Sequence, residues 1–395
     1  MTSLDTIQTE LDELRQADLF RIPRRVEEIE GGRIRVGGRW LIHLASNGYL
    51  GLALHPRVIA AAKEAIDRFG AGAASARLIA GGFSLHEELE EDLAQFKQAE
   101  GCLLFPTGYM ANLGIITALT GPGDLVIGDR LNHASLVDAC RASGAAFRIY
   151  PHADAGRLEE VLRQRRSRYR RMLVATEGVF SMDGDLAPLP QIAEAARRHE
   201  AWLLVDDAHA TGFFGASGRG SLEHFGVPAE GILQMGTLSK GLGSLGGFIA
   251  GPRAVMDLIR NKARTFLFTT SLPPSCVAAA REALRVIQEE PVWRHRLWEN
   301  VRRWISGLDE LRYELMSRQS PIVPVRIGAN RETMQLARTL EEAGVYAPGI
   351  RPPTVPEGSA RIRTSITALH TEKDLKLALD AFRAVRSKEV TARWS

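Results

Sequence analysis

One lysine in a run of small residues opens the chemistry of this chain. Lys240 stands in "TLSKGLGSLGG" (237–247), where no neighbouring side chain offers its ammonium a counter-charge. The glycines behind it, Gly241, Gly243 and Gly246, spell the G-x-G-x-x-G pattern of a dinucleotide loop. That fingerprint needs a strand before it, a helix opening within it and an acid about 20 residues later. Here the glycines lead into "GGFIAG", which reads as a strand, and the next acid, Asp257, comes too early. The letters match and the context fails. A lysine in a small-residue turn at a strand end reads instead as an imine-forming amine.

Other polar residues recur just past short apolar runs. "CLLFPTGYMANLG" passes from strand to helix start, and the amides of Gly108 and Tyr109 would face an anion there. "DLVIGDRLNHASL" supplies His133; "LVATEGVFSMDGD" supplies Glu177, Ser181 and Asp183; "AWLLVDDAHATG" supplies Asp206 and, three residues on, His209. "ILQMGTLSK" supplies Thr237, Ser239 and Lys240. Singly, each has a plain reading as a turn, a cap or a surface group. Together they match what pyridoxal phosphate asks of a protein: an amine, a carboxylate for the ring nitrogen, an anion site and a group to hold the ring. Lys240, Asp206, the Gly108–Tyr109 amides with Thr237, and His133 fill those roles in turn. His209 would reach the ring hydroxyl.

The elements that must position these residues follow from the hydrophobic pattern. From about residue 100, "CLLF", "DLVIGD", "RMLVATE", "AWLLVDD", "ILQMGT" and "GGFIAG" alternate with helix-like segments such as "LPQIAEAARRHE". Alternating strands and helices predict an α/β fold with a mainly parallel sheet covered on both faces. Ligands then bind beyond the carboxyl ends of the strands. The chain divides into a helix and hairpin arm (1–45), a large cofactor-binding domain (46–285) and a smaller C-terminal α+β domain (286–395), whose strands are "PIVPVRIG" and "ARIRTSITAL". "HPRVIAAAKEAIDRFG" predicts a helix between Pro56 and Gly70, with Ile59, Ala62, Ile66 and Phe69 on one face.

Composition excludes several classes. A formal charge of +3 over 395 residues indicates neither nucleic acid nor a membrane surface. No apolar run reaches the length of a membrane span, and the charged N-terminal segment is no signal peptide, so a cytoplasmic protein is expected. The three cysteines, Cys102, Cys140 and Cys276, are odd in number and far apart, so reduced thiols are expected. His86-Glu87 begins like a zinc-protease motif, but position 90 is Glu and no metal is expected. The basic run "RQRRSRYRR" (163–171) reads as a solvated helix end, or as a docking patch for an acidic carrier protein.

The segments "SNGYLGL", "FPTGYMAN", "NHASL", "TEGVFSMDGD", "VDDAHATG", "TLSKGLG", "FTTSLPP" and "RPPTVPEGSARIR" occur in that order and resemble the α-oxoamine synthases. The resemblance runs from about residue 20 to 385. It implies a fold-type I pyridoxal phosphate transferase with a seven-stranded, mainly parallel sheet. That family joins an amino acid to an acyl thioester and releases carbon dioxide. "IRPPTVPEGSARIR" is most similar to the branch that condenses L-alanine with a pimeloyl thioester, carried by coenzyme A or acyl-carrier protein, in biotin biosynthesis. The alternative branch takes glycine and an acetyl thioester. By resemblance, Lys240, His133, Asp206 and His209 are catalytic, and Ser181 joins the cofactor residues. Arg21, Asn47, His133 and Thr354 line the substrate site, and Arg363 binds the amino-acid carboxylate. Thr269 would reach the phosphate of a neighbouring subunit, which implies a homodimer with shared active sites. Gly48 stands where the family commonly has Asp.

Overall fold

The computed structural model describes residues 3–17 and 19–393. Seven strands build its central sheet: Gly101–Phe105 (β1), Leu125–Asp129 (β2), Ala146–Tyr150 (β3), Met172–Glu177 (β4), Trp202–Asp206 (β5), Leu233–Thr237 (β6) and Gly247–Gly251 (β7). Their order is β1-β7-β6-β5-β4-β2-β3, and β7 alone runs against the others.

Side chains alternate across the sheet with the period of two that strands impose. Val126, Leu173, Ala175 and Leu204 pack beneath helices Gly108–Leu119, Ala134–Ala142 and Arg253–Lys262. Leu125, Ile127, Met172, Val174, Leu203 and Val205 pack against Ala155–Arg165 and Leu189–Arg198 on the other face. With both faces dry, the strands can be apolar throughout, which is why six of them stand out in the sequence. The seventh, β3, was not among the apolar runs. It lies at the sheet edge, and Arg148 and Ile149 within it are exposed.

A smaller antiparallel sheet is made by Ile322–Gly328, Ala360–Ser365 and Gly349–Ile350. The hairpin expected in the N-terminal arm forms from Arg33–Val36 and Arg39–His43, and Val345–Tyr346 joins it in parallel. Helix Pro56–Phe69 also forms, but it meets helix Pro274–Glu289 through a face containing Val58 and Ala65. Ile59 and Ile66 are 38% and 44% exposed, so the bulkier apolar face points outward. No described helix is long and apolar enough to cross a membrane.

One buried ion pair fixes the turn after β5. Lys97, at the end of helix Ser84–Phe96, donates to Asp207 Oδ2 at 2.9 Å and to the Arg219 carbonyl at 2.5 Å. Asp207 also accepts from the Ser221 amide and hydroxyl. Both side chains are sealed from water, with side-chain exposures of 0% and 1%. Removing one partner strands the other charge, which costs about 3–5 kcal/mol where the charge stays buried. Lys97→Ala is therefore expected to lower unfolding stability by about that amount, measured by urea denaturation at neutral pH.

Candidate active site

The carboxyl ends of β4, β5 and β6 meet the N-terminus of helix Gly108–Leu119 around one cavity of about 210 Å³. Gly108, Tyr109, His133, Ser135, Glu177, Asp206, Ala208, His209, Thr237 and Lys240 open onto it. Eight of the residues singled out in the sequence thus share one wall system, although the outermost of them lie more than 130 residues apart.

The turn carrying Lys240 joins antiparallel β6 to β7. Leu238 N donates to the Gly246 carbonyl at 2.9 Å, and the Thr237 hydroxyl donates to the same carbonyl at 2.7 Å. The glycines are needed for contact rather than for nucleotide. A Cβ on Gly241 would lie 2.4 Å from the Thr211 carbonyl oxygen, and one on Gly243, at φ +63°, would lie 2.3 Å from the Ala53 amide. Their role is to let the lysine turn seat against neighbouring backbone.

Lys240 Nζ lies 2.8 Å from His209 Nε2, and His209 Nδ1 lies 2.7 Å from the Tyr49 hydroxyl. Desolvation lowers the Lys240 pKa, with Asp206 and Glu177 opposing that shift and Arg363 adding to it. Burial, then the charges of Lys240, Arg363 and His133, hold His209 well below the usual imidazole value. Burial likewise lowers His133, against the charge of Asp206. Burial and the charge of Asp206 drive Glu177 well above the ordinary carboxyl range, although the His133 and Ser181 amides pull the other way.

Asp206 accepts from the Asn112 amide at 2.7 Å and from the Ala208 N–H at 3.0 Å. Asn112 is the one strongly polar side chain within "GYMANLGIITAL", which is the signal that marks it beforehand. His133 caps helix Ala134–Ala142 by accepting from Ser135 N through Nδ1 at 3.2 Å, and its own amide donates to Glu177 Oε1 at 2.6 Å. At the neighbouring helix start, Thr107 Oγ1 takes the Met110 amide. Among the described residues nothing accepts from the Gly108 or Tyr109 amides. The Tyr109 hydroxyl turns outward to Asp138.

Arg363 approaches from the smaller sheet. Its guanidinium donates to the Ser181 carbonyl at 2.7 Å, the Ser365 hydroxyl at 2.8 Å and Asn47 Oδ1 at 3.2 Å. All three partners are neutral, Arg363 is 6% exposed, and among the described residues no carboxylate pairs with it. Arg361, on the same face of the strand, is instead paired with Asp183 at 2.6 Å. At Gly48 a Cβ would meet Ser46 Oγ at 3.3 Å, a close contact that the serine side chain would have to ease. Arg21 and Thr354 meet each other at 3.4 Å on the exposed surface. Thr269 lies elsewhere, in a small recess with Arg77, His86 and Pro106. His86 accepts from the Phe83 amide and faces the Leu272 carbonyl, so its role is to cap a helix. Cys102, Cys140 and Cys276 are all free thiols.

Residues 39–382 match the aminotransferase class I and II family, and the chain belongs to that family, in its α-oxoamine synthase branch. It is 46% identical over 385 residues to the 8-amino-7-oxononanoate synthase of Symbiobacterium thermophilum, with 98% of each chain covered. The serine palmitoyltransferase of S. paucimobilis, solved with bound PLP and myriocin, superposes with a TM-score of 0.91 at 35% identity, covering 98% of both chains. The 8-amino-7-oxononanoate synthase of Francisella tularensis superposes at 0.75 with 26% identity, covering 90% of this chain and 99% of that one.

The loop between β4 and its return at Leu186 carries Ser181, so its placement sets Arg363. His152 clamps it, with Nδ1 2.9 Å from Asp129 and Nε2 2.7 Å from Asp185. Burial alone would depress this imidazolium, but hydrogen bonds to Asp129 and Asp185 outweigh it and push the value up to about 10. A raised folded-state value contributes stability that is complete below the unfolded value near 6.5 and is lost as pH rises toward 10. The stability gap between wild type and His152→Gln should therefore narrow steadily between those limits. Urea titrations of both proteins across that range measure it.

Proposed function

We propose that the chain catalyses the decarboxylative condensation of L-alanine with a pimeloyl thioester, giving 8-amino-7-oxononanoate, carbon dioxide and free thiol in biotin biosynthesis. Pyridoxal phosphate is its cofactor in this reading. Arg363 carries the argument: a buried guanidinium with only neutral partners beside a cavity that holds an amine and a carboxylate. A buried cation without a counter-ion is costly, and a substrate carboxylate would relieve that cost.

The residues fit the cofactor. Asp206 is held by two neutral donors and leaves its charge for a protonated ring nitrogen. The unclaimed Gly108 and Tyr109 amides suit a phosphate, and a Cβ on Gly108 would crowd the cavity wall, 3.1 Å from Met235 Cε. Lys240 would hold the group, and His133 would hold its ring. When bound, pyridoxal phosphate supplies an aldehyde carbon for amines and a ring that takes up the electrons released at the amino acid's α-carbon.

The chain's own residues would do the rest. Arg363 binds and orients the alanine carboxylate, with Asn47 and Ser181 fixing the fork. Lys240, whose ammonium is disfavoured here, takes the α-proton as a neutral amine. The α-carbon then bonds to the thioester carbonyl carbon, and the thiol leaves. His133 accepts at Nδ1, so its Nε2–H is the donor for the acyl oxygen.

The pimeloyl reading rests on sequence: the Symbiobacterium synthase is 46% identical to this chain and the serine enzyme 35%, although the Francisella synthase stands at 26%. A homodimer with shared sites is supported by Thr269 lying outside the Lys240 cavity and by exposed Ile59, Ile66, Leu78, Ile79 and Phe268. The basic run 163–171 leads into the N-terminal end of β4, opposite the site, so carrier docking gains no support from it.

Thiol release should be fast with pimeloyl-coenzyme A plus L-alanine and slow with acetyl-coenzyme A plus glycine. The reverse pattern would transfer the function to the acetyl branch. Lys240→Ala should abolish multiple turnover. Arg363→Lys, which keeps the charge but loses the fork, should raise the KM for alanine about ten- to a hundredfold.

A further inference from the structure

Tyr49 lies outside every role assigned so far, yet it is fully buried and its hydroxyl touches the histidine that touches Lys240. The phenol has one proton to give and two acceptors in reach. His209 Nδ1 lies at 2.7 Å, whereas Asn47 Oδ1 lies at 3.4 Å and already receives Arg363 at 3.2 Å. Distance and competition both assign the proton to His209. A neutral imidazole that accepts at Nδ1 carries its own proton on Nε2. That N–H points at Lys240 Nζ, 2.8 Å away, and can bond there only to an unprotonated amine.

We propose that Tyr49 is a positioning residue: by donating to His209 Nδ1 it locks the imidazole as the Nε2–H tautomer and so favours the neutral amine of Lys240. A charged ammonium would meet that N–H donor to donor. If the tautomer flips, His209 becomes an acceptor for the ammonium, and the amine is lost at neutral pH. Burial pushes the Tyr49 phenol up to about 12, so it remains a donor across the working range. The charged groups facing the pair are Asp206 and Glu177, which favour the ammonium, and Arg363 and His133, which oppose charge on Lys240 or His209. The hydroxyl therefore acts against the Asp206 carboxylate and, when it is ionised, Glu177.

The inference draws on the proposed function only for the use made of the amine; the tautomer itself belongs to the protein without cofactor. Tyr49→Phe keeps the ring packing on Phe213, whose centroid is 4.7 Å away, and removes only the hydroxyl. The rate at which the cofactor-free protein captures pyridoxal phosphate should then show a pH midpoint about one unit more alkaline than wild type. An unchanged midpoint in a folded variant would overturn the proposal. Should the variant not fold, nitrogen-15 NMR of histidine-labelled wild type reads the tautomer directly. A protonated Nε2 and bare Nδ1 at His209 are expected, and the opposite pattern would overturn it. Failure to capture the cofactor with the Nε2–H tautomer intact would count against the proposed function and leave this inference standing.

Discussion

The site depends on keeping an amine where its charge is poorly solvated. Lys240 is partly buried at the carboxyl end of a sheet covered on both faces, and desolvation there favours its neutral form. Nearby carboxylates work against that. Asp206 and Glu177 both open onto the same cavity, and Asp206, with Glu177 when it is ionised, pulls toward the ammonium. The opposing groups are Arg363, brought in from the smaller sheet, and the His209 N–H held in place by Tyr49. The geometry of the fold can be read as the means of setting this balance.

Sheet topology makes that possible at little cost in backbone. Parallel strands deliver Glu177 and Asp206 side by side, since the β4–β5 register pairs them directly. The one antiparallel strand turns the chain back immediately after Thr237, so Lys240 falls in a short turn and not in a long crossover. That turn must press against Thr211 and Ala53, which explains its glycines better than any nucleotide. The adjacent acids Asp206 and Asp207 then separate. One faces the cavity and the other is sealed against Lys97, holding the turn that carries His209.

Much of this was legible because dry strands are written as apolar runs with polar residues at their ends. Lys240, Asp206, His209, His133 and Thr237 could be placed by that rule alone, and the cavity collects them. What stayed hidden has physical reasons. Strand β3 alternates too weakly at a sheet edge to stand out, with Arg148 at its centre. The outward turn of Ile59 and Ile66 follows from helix packing against Pro274–Glu289, which periodicity alone does not specify. Which of two neighbouring acids faces the site depends on Lys97, more than a hundred residues away. Tyr49 and Asn112 act only through partners far along the chain, though a lone Asn in an apolar helix was a visible sign.

Arg361 and Arg363 show how one strand separates structure from recognition. Both project from the same face onto the loop that follows β4, and both are almost wholly buried. Arg361 meets the Asp183 carboxylate, so its charge is neutralised within the fold. Arg363 meets a carbonyl, a hydroxyl and an amide oxygen, so its position is set while its charge is not. Neutral acceptors supply geometry without repaying the loss of hydration, and the fold bears that cost. An incoming carboxylate gains from a cation already oriented and already dehydrated, which is what preorganisation means in such a site. The same reasoning applies to Asp206, whose donors are neutral too, so an anion and a cation are each held ready at separate points of the Lys240 site. A ligand complementary to both must carry a positive and a negative group a fixed distance apart.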